Sequence, residues 1–184
     1  NDSSCTYQMT YVPDDNFENY LEANGMGDGI ALNDYVFTSA IDTVTNLDVS
    51  NDSITDLTGI EDFIALNYLN CSSNIITSLD VSNNSALITL NCMYNQLANL
   101  DVSGATALTQ LVCFGNQLTN LDVSNNIALA FLECSWNLLT SIDVSNNASL
   151  NDFRCMDNQL TILNVNNNTF LSIFDCRYNN LTSL

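Results

Sequence analysis

The stretch "LNYLNCSSNIITSLDVSNNSA" occupies residues 66–86, and "LITLNCMYNQLANLDVSGATA" follows it at 87–107. Each is 21 residues long, and the same pattern returns at Leu108, Leu129 and Leu150 before a sixth unit runs from Leu171 to Leu184. Cys71, Cys92, Cys113, Cys134, Cys155 and Cys176 therefore fall at a constant interval; Cys5 alone stands outside it. A fixed period of this size is the mark of a stacked repeat, in which one unit cannot bury its own apolar residues and its neighbours must do so.

Every unit reads L-x-x-L-x-C-x-x-N-x-L (Ile76 closes the first, and Phe153 and Phe174 stand for the second Leu of the last two), and most continue x-x-L-D-V-S-N-N-x-A or a near variant. The first eleven positions match the leucine-rich-repeat template, with Cys in place of its third leucine. The second half repeats the spacing as L-x-x-L-x-V-x-x-N, so the unit is two nested half-repeats. Leu69 and Cys71 are two apart, and in an extended segment both point inward. Leu79 and Val81 do the same in the second half, with Ser78, Asp80 and Ser82 outward. Twenty-one residues leave no room for a long return helix. The fold class expected is a right-handed leucine-rich-repeat solenoid, β-rich, with short extended or turn-like return segments. The cysteines should form a buried ladder of free thiols. In-register strands sit about 4.8 Å apart, whereas a disulfide needs Cβ atoms about 3.8 Å apart on converging vectors. The Asn74, Asn95, Asn116, Asn137, Asn158 and Asn179 column should satisfy backbone groups where the chain turns out of the strand.

On these residues the chain resembles the family of 21-residue, cysteine-containing leucine-rich repeats typified by internalin J of listerial surfaces. Many secreted flavobacterial proteins share the pattern, and "YVPDDNFENYLEANGMGDG" and "ITDLTGIEDF" are similar to the opening region of those. The resemblance implies adhesion or ligand capture outside the cell, by a secreted or bacterial cell-surface protein. The start at Asn1 fits a mature or trimmed secreted chain. The last unit stops at its second inward leucine, so a capping continuation is expected beyond Leu184.

Ahead of the regular units, residues 1–43 read as an N-terminal cap and 44–65 as an irregular first repeat, leaving 66–184 to the repeats proper. "DDNFENYLEAN" at 14–24 has Phe17, Tyr20 and Leu21 on one helical face and Asp14 or Asp15 placed to cap it. A short helix there would cover the open end of the stack. "NGMGDGIALNDY" at 24–35 is a poor match to a calcium loop, since Met26 takes a ligand position and Tyr35 stands where a bidentate Glu belongs. A glycine-rich turn is expected, with Asp28 and Asp34 as its only ligand candidates.

The net charge is −19, from 21 Asp plus Glu against two Arg, with no His. Nucleic acid and anionic membrane surfaces both need a basic footprint and are excluded as direct partners. With no Lys or His, no phosphate loop and no cysteine beside a base, an enzyme is the disfavoured class, and no cofactor is implied. The variable positions of the first half point to a binding face instead. They carry Tyr68, Met93, Tyr94, Phe114, Phe131, Glu133, Trp136, Arg154, Met156, Arg177 and Tyr178, including the only Trp and both Arg of the chain. Aromatics, Met and Arg are enriched in interface hot spots. The expected function is a non-enzymatic recognition module binding a protein or glycan ligand through its concave strand face. The alternative uses the opposite face. There the Thr77, Thr119, Thr140, Thr161 and Thr182 column could match ordered water in ice, and Asp80, Asp101, Asp122 and Asp143 could bind a cation such as calcium weakly.

Overall fold

The computed structural model describes residues 7–182, so Cys5 and the inward leucine at 184 lie outside the described residues. Each repeat contributes one three-residue strand to a seven-stranded parallel sheet. Its members are β3 (Asn46–Asp48), β4 (Tyr68–Asn70), β6 (Thr89–Asn91), β8 (Gln110–Val112), β9 (Phe131–Glu133), β10 (Asp152–Arg154) and β11 (Ile173–Asp175). Neighbours pair in register, Leu69 against Leu90, Leu90 against Leu111 and so on, so each column of the repeat becomes a row in space. Among the described residues the return half forms a second sheet only between β5 (Ser78–Asp80) and β7 (Asn99–Asp101); elsewhere it has no strand. The chain is a leucine-rich-repeat solenoid, as its period requires.

The core is one continuous cluster. Leu69, Leu90, Leu111, Leu132 and Phe153 supply one row and Val81, Val102, Val123 and Val144 the facing one. Between them Cys71, Cys92, Cys113, Cys134 and Cys155 are fully buried free thiols, while Cys176, on the last rung, is only partly covered. Burial removes the thiolate from water and pushes Cys71, Cys113 and Cys155 up to about 12, with Cys92 and Cys134 also raised. Since the thiolate is the nucleophile, a rise from 9.0 to about 12 cuts the reactive fraction roughly a thousandfold at mildly alkaline pH. Under native alkylation Cys176 should therefore react first among the ladder cysteines and Cys71 to Cys155 only on denaturation, as peptide mass spectrometry would show. Disulfides between consecutive ladder cysteines would contradict the stacking.

The asparagine column works as expected, and its bonds reach across rungs. Asn116 Oδ1 accepts from Leu97 N at 3.0 Å, while its Nδ2 donates to Cys92 O and Cys113 O, both at 3.0 Å. Asn95, Asn137 and Asn158 repeat this, each bonding back to the unit before its own.

The return half holds a feature the sequence reading did not draw out. Of the two asparagines in "DVSNN", only the first faces solvent; Asn84, Asn126, Asn147 and Asn168 are buried. Their Nδ2 groups donate to carbonyls of the preceding unit, as Asn147 does to Val123 O at 3.0 Å and Asn126 O at 2.8 Å. They form a second internal ladder at the position matching Asn74 in the nested half-repeat.

At the other end, α1 (Asp15–Ala23) covers the stack with Phe17 and Leu21, and Phe17 meets Phe63 at 6.3 Å. Asp14 caps it, Oδ1 accepting from Asn16 N and Phe17 N while Oδ2 accepts from Thr55 N and Oγ1. One carboxylate thus starts the helix and ties it to the irregular repeat. Burial opposes its charge, but these bonds win and hold Asp14 below the ordinary carboxylate range. A two-stranded antiparallel sheet, β1 (Met9–Tyr11) with β2 (Tyr35–Phe37), lies beside it. The glycine-rich loop between α1 and β2 is organised by protein carboxylates. Glu22 accepts from Asp28 N and Gly29 N, and fully buried Glu18 from Asn33 N and Asp34 N. Asp28 itself is occupied by Asn33 Nδ2 and Ile30 N.

Candidate ligand-binding face

The exposed side of the seven-stranded sheet is built from the third, fifth, seventh and eighth positions of each unit. In-register pairing puts Phe131 beside Gln110 and Asp152, and Glu133 beside Val112 and Arg154. Arg154 is the best-held side chain on this face. Its Nε and Nη2 grip Asp152 in a fork at 2.9 and 2.8 Å, Glu133 lies 4.0 Å from Nη1, and the guanidinium sits 5.6 Å over the Phe131 ring. Arg177 makes the same fork with Asp175 at 2.9 and 2.7 Å and touches Met156 Sδ. Both cations of the chain are thus matched within their own strand region. Asp152 and Asp175, which do this, were not among the residues picked out from sequence.

Tyr94, Phe114 and Trp136 form a row crossing three units. Tyr94 meets Phe114 edge-on at 5.2 Å, and Phe114 meets Trp136 at 6.0 Å. Tyr68, Met93 and Phe114 are half-buried, and Tyr68 sits three strands away from Phe131 along its row, apart from this cluster. Two seventh-position residues, Ser72 and Ser135, are buried in the turn; the expectation that the seventh position faces outward fails there.

The eighth position has a backbone property that the residue pattern alone does not announce. Ser73, Tyr94, Gly115, Trp136, Asp157 and Tyr178 all adopt left-handed φ, between 52° and 67°. The turn out of the strand demands it, because the chain must reverse and present the next asparagine inward. Gly115 and Asp157 suit this conformation; a bulky side chain costs of order 1–2 kcal/mol there. Tyr94, Trp136 and Tyr178 nevertheless occupy it, 55%, 56% and 70% exposed. Their exposed rings recover little of that cost by burial.

On the return face each aspartate is committed to its own turn. Asp80, Asp101, Asp122 and Asp143 accept from the N–H two residues on at 2.8–2.9 Å. The Ser103 and Ser124 hydroxyls first, then those N–H groups, hold Asp101 and Asp122 below the ordinary carboxylate range; for Asp143 the Ser145 N–H leads. Among the described residues no three His, Cys, Asp or Glu side chains gather as a metal-holding group. The Thr77, Thr119, Thr140, Thr161 and Thr182 side chains are exposed, with Ala98 interrupting the column. A cleft of about 490 Å³ opens at that break, lined by Asp80, Ala98, Asp101, Thr119 and Asp122 among others. Among the described residues no helix is long and apolar enough to cross a membrane.

No protein-family model matches the chain. Internalin J of Listeria monocytogenes serotype 4b (strain F2365) is 42% identical over 75 residues, which are 41% of this chain and 8% of that protein. The solved functional domain of internalin J from Listeria monocytogenes, described as including a cysteine ladder, is 38% identical with a TM-score of 0.76. That match covers 97% of this chain and 45% of the solved one. A leucine-rich-repeat protein of Leptospira interrogans shares the fold, with 20% identity and a TM-score of 0.71 over 80% of this chain and 43% of that one. The chain spans less than half the length of each.

Proposed function

We propose that this chain, an internalin J-like protein of 21-residue cysteine-containing leucine-rich repeats, is a non-enzymatic recognition module. It acts outside the cell, secreted or on a bacterial surface, and captures a protein or glycan ligand on its strand face. One observation carries the reading: large aromatics stand, exposed, at backbone positions where glycine or asparagine would be more stable. Strain of this kind is retained where a side chain does something that the fold does not need. Tyr94, Phe114 and Trp136 offer a compact apolar anchor, flanked by the Arg154–Phe131 stack and by Met156, as hot spots are built. The similarity to internalin J supports the extracellular setting.

The test begins with a glycan and protein array to find a ligand, followed by substitutions. Phe114→Ala and Trp136→Gly should each weaken its capture by about 2 kcal/mol, roughly thirtyfold. Trp136→Gly should at the same time raise stability by ~1 kcal/mol, because it relieves a left-handed φ of 55°. Thr119→Val and Thr140→Val, on the return face, should leave capture unchanged. If instead the Thr changes abolish it and the aromatic ones do nothing, the binding face is the opposite one.

A further inference from the structure

We infer that Trp136, Asp157 and Tyr178 form a clamp for a single lysine or arginine side chain presented by a polypeptide partner. The inference rests on the strand-face reading and adds the chemistry of what that face grips. These three residues occupy the eighth position of successive units, with φ of 55°, 52° and 55°. Trp136 N donates to Met156 O at 2.9 Å and Asn137 N to Asp157 O at 3.3 Å; Asp157 N donates to Arg177 O at 3.0 Å and Asn158 N to Tyr178 O at 3.3 Å. The rungs are therefore in register. Identical backbone conformation sends the three Cβ atoms the same way, so the carboxylate rises between two aromatic side chains. Two rungs put the outer pair about 10 Å apart at their Cα atoms. A cation between them lies within the ~6 Å that cation–π attraction requires of each ring and directly over the carboxylate.

Three further facts select a cation. Phe114 covers Trp136 from the third unit, where Gly115 contributes no side chain, so the side of Trp136 facing Asp157 is its open one. Among the described residues nothing donates a hydrogen bond or forms an ion pair to the Asp157 carboxylate, whereas Asp152 and Asp175 are forked by arginines. Those arginines, Arg154 and Arg177, are the only basic side chains of the chain, and each is held by its own aspartate. The −19 net charge attracts basic partners and repels acidic ones. A polypeptide is the source because the apolar row of Phe114 and Tyr94 runs on beside the clamp, giving a larger partner surface to rest on.

The sole Trp reports on the clamp. Titrating the intact chain with acetyl-Arg-Arg-Arg-amide should change Trp136 fluorescence saturably, and the tri-citrulline isostere should bind at least tenfold more weakly. Asp157→Asn, which suits the left-handed backbone, should weaken the arginine peptide at least tenfold. Asp101→Asn, removing the same charge from the return face, should change it less than twofold. Equal effects of the two substitutions would reduce the binding to general attraction and overturn the clamp. Methylguanidinium binding as tightly as the peptide would make it a small-amine site and overturn the polypeptide assignment. Array capture separates the two levels of inference. If Phe114→Ala abolishes capture while Asp157→Asn leaves it intact, the clamp is wrong and the strand face stands. If neither matters, both fail.

Discussion

Asn137→Leu should cost the fold about 3 kcal/mol, while the same change at Asn147 should cost less than half as much. The two residues are equally regular in the sequence and both are buried. Their bonds differ. Asn137 Oδ1 accepts from Leu118 N at 3.0 Å, and Nδ2 donates to Cys113 O at 3.0 Å and Cys134 O at 3.1 Å. Removing the amide strands Leu118 N in a dry interior, at ~1–3 kcal/mol, and takes one of two donors from each carbonyl, since Cys113 O keeps Asn116 Nδ2 and Cys134 O keeps Asn158 Nδ2. Asn147 Nδ2 donates to Val123 O and Asn126 O, but these carbonyls also accept from Asn126 N and Leu129 N at 3.0 Å. Its Oδ1 has no partner, so leucine removes a buried unsatisfied atom as well as two bonds. A loss of about 3 kcal/mol is a large share of the 5–15 kcal/mol that folded domains typically hold. Urea unfolding of both variants, followed by far-UV circular dichroism, decides it: equal losses would mean that the two ladders do the same work.

The strand sheet, the cysteine row and the first asparagine ladder were legible because the repeat aligns chemically identical residues. A column that is always Leu, Cys or Asn needs one explanation, and burial supplies it. The second ladder was legible in principle, since Asn84 matches Asn74 in the nested half-repeat. Its sequence neighbours, Ser82 and Asn83, are turn residues that masked it. The candidate face was legible only as composition. Nothing in "SWNLL" at 135–139 says that Trp136 is left-handed, yet its column holds Gly115 and Asp157, residue types that favour that conformation. Reading down the column, where the aromatics are the anomaly, was the available signal. The forks that neutralise Arg154 and Arg177 depend on χ angles of side chains two apart in the sequence, and the spacing Asp-Phe-Arg and Asp-Cys-Arg only permits them.

Gly104→Asn would restore the residue found at 83, 125, 146 and 167, and repeat logic expects it to stabilise. The structure argues for the opposite result. A Cβ on Gly104 would lie 1.7 Å from Ser82 O and 2.7 Å from its carbonyl carbon, which are backbone atoms and cannot swing aside. The close approach has a counterpart in the topology. Among the described residues only here does the return half form strands, with Val81 N donating to Asp101 O at 3.0 Å beside the β5–β7 pairing. At the next rungs the gap is wider and spanned by side chains: Asn125 Nδ2 reaches Ser103 O at 3.1 Å, and Asn146 and Asn167 each reach the preceding unit at 3.2 Å. Glycine and the short sheet therefore belong together, as asparagine and the bridged turn do elsewhere. Forcing asparagine into the narrow rung must part β5 from β7 and open the contact between the first two units. Each unit is stabilised chiefly by its neighbours, so the penalty falls on the whole stack. A loss of about 3 kcal/mol is expected, or roughly 6–12 °C in Tm for a chain of this size. Amide hydrogen exchange should quicken first at Val81, and a variant as stable as the parent with Val81 still protected would show that this rung tolerates the bridged geometry after all.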